Sequence, residues 1–142
     1  MKVLIRGTAT ALGVVALLAV AASPAMGREA GSPPVIKLKD ARFGNILARS
    51  DHKALYFWNV EKRDFKIHCT GACARAWPPL LVRSAKAVPQ RLPGIKGIFG
   101  VIRRPDGRLQ VTHNRLPIYT YAHEAPDQVL CDDVDGWFVV RL

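Results

Sequence analysis

The sequence predicts an antiparallel all-β domain made of two repeats of about four strands each, with one short helix. Three observations support this fold class. Short apolar runs alternate with turn-forming residues along 35–142, as in strands joined by tight turns. Residues 46–64 and 109–127 resemble each other at a constant offset of 63 positions. Only the segment from Thr70 to Ala76 has the composition of a helix.

The N-terminal segment, residues 1–27, has the features of a secretory signal peptide. It begins with positive charge, and its apolar run at 11–22 is too short to span a membrane. Ala25 and Gly27 place small residues at the −3 and −1 positions of a cleavage site. An uncleaved N-terminal anchor is the alternative. Because the first cysteine is Cys69, we expect a secreted or periplasmic protein without a lipid anchor.

Without the signal peptide the chain is strongly basic. The signal contains two of the 21 Lys and Arg residues and none of the 11 Asp and Glu residues, which leaves a net charge of +8. Such a charge favours anionic partners, although scattered cations also fit a solvated surface. We expect anionic envelope polymers or another envelope protein as partners, no specific nucleic acid, and no transmembrane segment after signal removal.

The predicted strands follow in order after a short leader. Residues 28–41 contain this leader and the first strand, and residues 42–142 form a single β domain. Its first repeat spans 42–82 and its second repeat 98–142, with a connector rich in Pro and Gly between them. The predicted strands are 35–41, 45–50, 54–60 and 79–82, then 97–104, 108–113, 117–123 and 137–142.

Local signals mark the turns and the helix. In "RRPDGR", Pro105 sets φ and Gly107 accepts the left-handed conformation that closes a hairpin. Thr70 is the predicted N-cap of the helix, and Pro78 ends it.

Strand alternation also predicts what the repeated aromatic residues do. Tyr56 and Trp58 share one face of their strand, and Tyr119 and Tyr121 share the equivalent face. The same alternation places the glutamate five positions after each tyrosine off that face, near the strand end. We interpret the rings as core where the repeats pack. An aromatic cleft closed by carboxylates is the alternative.

The three cysteines allow three kinds of chemistry. In an exported protein a disulfide is favoured, and Cys69 and Cys73 would share one face of the short helix. A bridge from either one to Cys131 would close a longer loop and stabilise the fold more. Alternatively, the three thiols with His68 would form a soft ligand set for copper or zinc. The residues alone leave these alternatives open.

Enzymatic motifs are absent from the sequence. It contains no nucleophile elbow, no phosphate-binding loop and no H-E-x-x-H motif. Asp132, Asp133 and Asp135 suggest a solvated acidic turn, since the glutamate that closes an EF-hand calcium loop is missing. We therefore expect no catalytic residue and no cofactor.

Several short patterns occur together in the chain. The first is matched by Tyr56, Trp58 and Glu61, and again by Tyr119, Tyr121 and Glu124. The pattern C-x-G-x-C-A-x-x-W-P-P is matched by Cys69, Gly71, Cys73, Ala74, Trp77, Pro78 and Pro79, and a closing aromatic strand begins at Trp137. Together they resemble a family of secreted bacterial proteins and lipoproteins with a Y-x-[FWY]-x-x-D motif, usually called the secreted repeat of unknown function.

The resemblance covers roughly residues 42–141 and implies an exported, non-enzymatic domain. In the family pattern the first two cysteines occur without the third, which implies a Cys69–Cys73 disulfide and leaves Cys131 as a spare thiol. The chain departs from the family by having glutamate as the motif acid and by lacking a lipid-attachment cysteine. We expect a cell-envelope or extracellular binding or structural module. A thiol, redox or metal-handling protein centred on Cys69 and Cys73 is the alternative.

Overall fold

The computed structural model describes residues 33–142, so the predicted signal peptide and most of the leader lie outside the described residues. The chain is all-β, as predicted, and every strand pair is antiparallel. No helix in this part of the chain is long and apolar enough to cross a membrane. The strands are β1 (Val35–Asp40), β2 (Gly44–Arg49), β3 (Tyr56–Trp58), β4 (Leu81–Val82), β5 (Phe99–Arg103), β6 (Leu109–His113), β7 (Leu116–Pro117) and β8 (Trp137–Val139), with the helix α1 (Ala72–Ala76) between β3 and β4.

Two hairpins form the outer parts of the fold. Strands β1 and β2 pair along their whole length, and the turn between them ends at Gly44, whose φ is +72°. Strands β5 and β6 meet at the predicted turn, where the Gly107 N–H donates to the Arg104 carbonyl at 2.9 Å. Gly107 has a φ of +83°, which glycine adopts without steric cost. This turn prediction is confirmed.

At the centre of the fold, residues 56 and 119 face each other. The Tyr56 N–H donates to the Tyr119 carbonyl at 2.8 Å, and the Tyr119 N–H donates to the Tyr56 carbonyl at 2.9 Å. Such a reciprocal pair is typical of antiparallel pairing. The two positions that match at the offset of 63 are therefore direct neighbours in space.

The last segment of each half pairs with the segment around the motif tyrosine of the other half. Strand β8 lies against β3, with Trp137 opposite Trp58. In the corresponding place the Leu80 N–H donates to the Ile118 carbonyl at 3.0 Å. This exchange joins the two halves by main-chain hydrogen bonds. The number of repeats itself stays a prediction.

Alternation along the central segments separates two cores. Leu55 and Ile118 belong to one cluster of buried residues, while Tyr56 and Tyr119 belong to the other. The first cluster is mainly aliphatic, and the second contains most of the aromatic rings. The prediction that the motif rings pack as core is confirmed for Tyr56 and Tyr119, which are completely buried, whereas Tyr121 is only partly buried against the same cluster.

Several predicted boundaries are wrong. Helix α1 begins at Ala72, and its N-cap is Gly71, which has a φ of +54° and makes no side-chain cap hydrogen bond. The predicted strand 54–60 ends at Trp58, where a 3₁₀ turn over Asn59–Arg63 begins.

The predicted strand 117–123 is also interrupted. Beyond Pro117 it makes isolated bridges, in which Tyr119 lies between Tyr56 and Pro79. Proline has no N–H to donate, so the pairing beside Tyr119 lacks a regular ladder and consists of single hydrogen bonds, such as the one from Thr120 to the Pro78 carbonyl. For the same reason the predicted strand 79–82 is reduced to β4.

Because β3 and β8 belong to different halves, we predict that neither half folds alone. The fragments 28–86 and 87–142, expressed separately, should show no cooperative thermal transition by near-ultraviolet circular dichroism. As a control, the intact chain carrying a protease site after the exposed Lys86 should keep its transition when it is cut in the folded state. A cooperative transition of one isolated fragment would contradict the strand exchange.

Candidate functional site

The phenol of each motif tyrosine reaches the motif glutamate of the other half. The Tyr119 hydroxyl donates to Glu61 Oε1 at 2.8 Å. The Tyr56 hydroxyl donates to Glu124 Oε1 in the same way. All four residues are at most 3% exposed. We call this arrangement the crossed Tyr–Glu pairs.

The position of the glutamates corrects the prediction from strand alternation. Glu61 lies on the tyrosine face because the chain leaves β3 at Trp58 and turns through a 3₁₀ segment. Three residues of a 3₁₀ helix make one full turn, so the side chain returns to the core. Alternation predicts orientation only within a strand.

Main-chain N–H groups also donate hydrogen bonds to both carboxyl groups. Glu61 Oε1 accepts the N–H of His68 at 2.8 Å and that of Cys69 at 3.3 Å. Glu124 Oε1 accepts the N–H of Leu130 at 2.6 Å. Each glutamate therefore fixes the loop that follows it. Leu130 follows Glu124 by one residue fewer than His68 follows Glu61. Cys131, directly after Leu130, therefore corresponds in position to Cys69, directly after His68.

Burial dominates the protonation of these groups. It raises the pKa of Glu61 and of Glu124 above the ordinary value near 4.5, although the hydrogen bonds to their Oε1 atoms act in the opposite direction. The Oε2 atom of each is buried without a hydrogen-bond partner among residues 33–142. Burial and the neighbouring carboxyl also raise the pKa of Tyr56 and Tyr119. In the folded protein each of the four groups is therefore shifted towards its neutral form.

A stack of aromatic rings covers the tyrosine pair. The rings of Trp77 and Trp137 lie parallel with centroids 3.9 Å apart, and Trp58 stacks on Trp137 at 5.4 Å. Tyr121 packs against Trp77 at 4.7 Å. Because Trp77 and Trp137 fill the space between the halves, the alternative of an aromatic cleft closed by carboxylates is wrong.

The two prolines of the W-P-P pattern lie in the segment after α1 and hold it against the residues around Tyr119. The Pro78 carbonyl accepts the N–H of Thr120 at 2.9 Å, and Pro79 bridges to Tyr119. These contacts join the motif around the cysteines to the centre of the fold.

The cysteines pair as the family resemblance implies. The sulfur atoms of Cys69 and Cys73 lie 2.03 Å apart, which is a bonding distance, and Cys131 is a free thiol. Burial and the nearby Glu124 raise the pKa of the Cys131 thiol, which disfavours the reactive thiolate. The imidazole of His68 contacts Asp64 at 3.0 Å. The proposed copper or zinc ligands are thus not assembled, and no group of three or more metal-ligating side chains occurs within residues 33–142.

A buried arginine that sequence reasoning missed connects the second hairpin to the disulfide. Arg104 is 3% exposed and donates to the Cys69 carbonyl at 2.9 Å and to Gln110 Oε1 at 2.5 Å. Gln110 in turn donates to the Ile118 carbonyl at 2.9 Å. The sequence shows Arg103 and Arg104 side by side, with no signal for which of them is buried.

Two adjoining clefts lie on either side of the β5–β6 turn. The first arginine cleft, of about 530 Å³, has Arg83, Arg103 and Arg108 above a floor formed by Leu81, Val82 and Leu109. The second arginine cleft, of about 330 Å³, is lined by Arg75, Arg104 and Arg108 together with Asp106. Residues 65–105 contain no Asp or Glu, and this signal could have indicated a basic face.

No protein-family model, no curated protein and no solved structure matches the chain. The resemblance to the secreted repeat family therefore stays a prediction.

We predict that the crossed pairs stabilise the fold through their phenols. Tyr119→Phe keeps the ring and removes a donor to a buried carboxyl, so it should lower the free energy of unfolding by about 1–3 kcal/mol. Tyr121→Phe, at a half-buried position, is the control and should change it by less than about 0.5 kcal/mol. Urea unfolding curves measure both. Equal effects of the two variants would contradict a special role of the pair.

We also predict how the stability of the folded protein depends on pH. A carboxyl whose pKa is raised on folding binds more protons in the folded state than in the unfolded state, so stability falls as the pH rises from about 4.5 through the raised pKa. The double variant Glu61→Gln/Glu124→Gln cannot titrate there and should flatten this decline. The urea midpoints of the unchanged protein and of the double variant are measured between pH 4.5 and 8. The contribution of the histidines cancels in their difference, because both proteins contain the same histidines. Identical slopes would contradict the prediction.

Proposed function

We propose that the protein is an exported, non-enzymatic binding module of the cell envelope or the extracellular space. The observation that carries this proposal is how the fold uses its polar groups. The crossed Tyr–Glu pairs are buried and bonded to one another, while two adjoining clefts at the surface are lined by arginines. The crossed pairs thus build the scaffold, and the arginine clefts are exposed to a partner.

Export is supported by two independent features. Residues 1–27 have the pattern of a signal peptide. Cys69 and Cys73 are joined in a disulfide, a bond that persists in oxidising compartments and is rare in the cytosol.

The absence of catalysis is supported by the protonation of the motif groups. A general acid or base works best with a pKa near the ambient pH and within reach of its substrate. The phenols of Tyr56 and Tyr119 have strongly raised pKa values, and neither they nor Glu61 and Glu124 reach the surface. As parts of a scaffold, all of these groups can stay buried, because a structural role requires no contact with a substrate.

We predict export with cleavage after Gly27. The full chain with a C-terminal tag, expressed in a bacterium, should be recovered outside the cytoplasm with Arg28, or a residue within a few positions, as its N-terminus by mass spectrometry. Peptide mapping without reductant should find the Cys69–Cys73 link. The variant Leu17→Arg/Leu18→Arg, which interrupts the apolar run, should stay in the cytoplasm. Cytoplasmic protein that retains Met1 would overturn the proposal.

A further inference from the structure

We infer that the two arginine clefts together bind a linear polyol phosphate, a polymer in which phosphate groups alternate with short aliphatic polyol units. This inference deepens the proposed function of an exported binding module and rests on it. It concerns the surface around the β5–β6 turn, where Gly71 and Ala74 of the C-x-G-x-C-A-x-x-W-P-P pattern line part of the second cleft.

The first step is the charge of the surface. Residues 65–105 supply four of the five arginines that line the clefts and no carboxylate. Asp106 is the single acid among the lining residues, and it pairs with Arg108 at 2.7 Å. Arg103 donates one N–H to the Gly107 carbonyl, and Arg83 makes no ion pair within residues 33–142. Both guanidinium groups therefore keep donors for a ligand.

The second step is the shape of the surface. Both clefts are lined by Arg108, so they adjoin at this residue, and their arginines follow one another across the turn. A guanidinium binds phosphate or carboxylate with two parallel hydrogen bonds. Arginines spaced along a track fit charges that repeat along a chain better than a single anionic group.

The third step excludes two other polyanionic partners. Neither cleft is lined by an aromatic residue, so nucleic-acid bases find no stacking surface there. The large exposed hydrophobic residues Ile98, Leu130 and Val134 lie outside both clefts, and the apolar residues inside the first cleft are its half-buried floor, so no fully exposed apolar side chain beside the arginines could insert into a bilayer. Leu81, Val82 and Leu109 instead offer an aliphatic floor to a carbon backbone.

The fourth step is that the walls of the second cleft are held in place. Its wall at Thr70 and Gly71 follows Cys69, whose carbonyl accepts a hydrogen bond from Arg104 of the opposite wall. The Cys69–Cys73 disulfide fixes the same segment. A preorganised cleft loses less conformational freedom on binding.

The test compares charge at the clefts with charge elsewhere. The purified chain is titrated by calorimetry with poly(glycerol phosphate) and with polyguluronate, and in parallel with phosphatidylglycerol vesicles and single-stranded oligothymidine. Arg83→Gln/Arg103→Gln should weaken binding of poly(glycerol phosphate) about tenfold or more, because it removes two direct contacts. Lys37→Gln/Lys39→Gln removes the same net charge from exposed positions of β1 and should change the affinity less than about threefold.

Several outcomes would overturn the inference. Equal loss in the two variants would mean that binding follows net charge alone. Tighter binding of polyguluronate, vesicles or oligothymidine than of poly(glycerol phosphate) would identify a different partner. If the double arginine variant does not fold, judged by its urea midpoint, Arg83→Glu at an exposed position replaces it. Export without cleft-dependent binding would reject this inference alone, whereas failure of export would reject the proposed function.

Discussion

The rest of the structure depends on the crossed Tyr–Glu pairs. A carboxyl group buried without a partner is costly, and the partner of each glutamate is a phenol of the other half. The two halves are also joined by main-chain hydrogen bonds between the last segment of one and the segment around the motif tyrosine of the other. Each half therefore depends on the other for main-chain and for side-chain hydrogen bonds. Tyr56 and Tyr119 take part in both, through their backbone and through their hydroxyl groups. We therefore expect the fold to unfold as one cooperative unit, although its halves correspond in sequence.

Cys69 joins this central arrangement to the surface. Its N–H donates to Glu61, its carbonyl accepts from Arg104, and its sulfur is bonded to Cys73. Through these three groups one residue contacts the buried pair, the arginine clefts and helix α1. The disulfide thus stabilises more than the five-residue segment that it closes, because that segment forms one wall of the second cleft.

The sequence predicted the local features and failed on those that depend on distant contacts. Gly107 and the alternation of Leu55 and Tyr56 were predictable because turn chemistry and strand geometry are set by neighbouring residues. The burial of Glu61 was not, because it follows from where β3 ends, and that end depends on pairing with β8. The arginine clefts were partly predictable: the segment without acids is visible in the sequence, whereas the convergence of Arg83 on Arg103 requires the β4–β6–β5 sheet.

The two halves share a core but differ in their surface chemistry. Where the first half has Cys69 bonded to Cys73, the second has the single thiol of Cys131 followed by Asp132 and Asp133. Asp132 pairs with Arg141, and the acidic turn offers nothing to an anion. A symmetric scaffold by itself would present two equivalent faces to a ligand. Within residues 33–142 the charge is distributed unequally, because arginines line the clefts at the β5–β6 turn and carboxylates occupy the acidic turn, so a polyanion is attracted more strongly to the face at the β5–β6 turn.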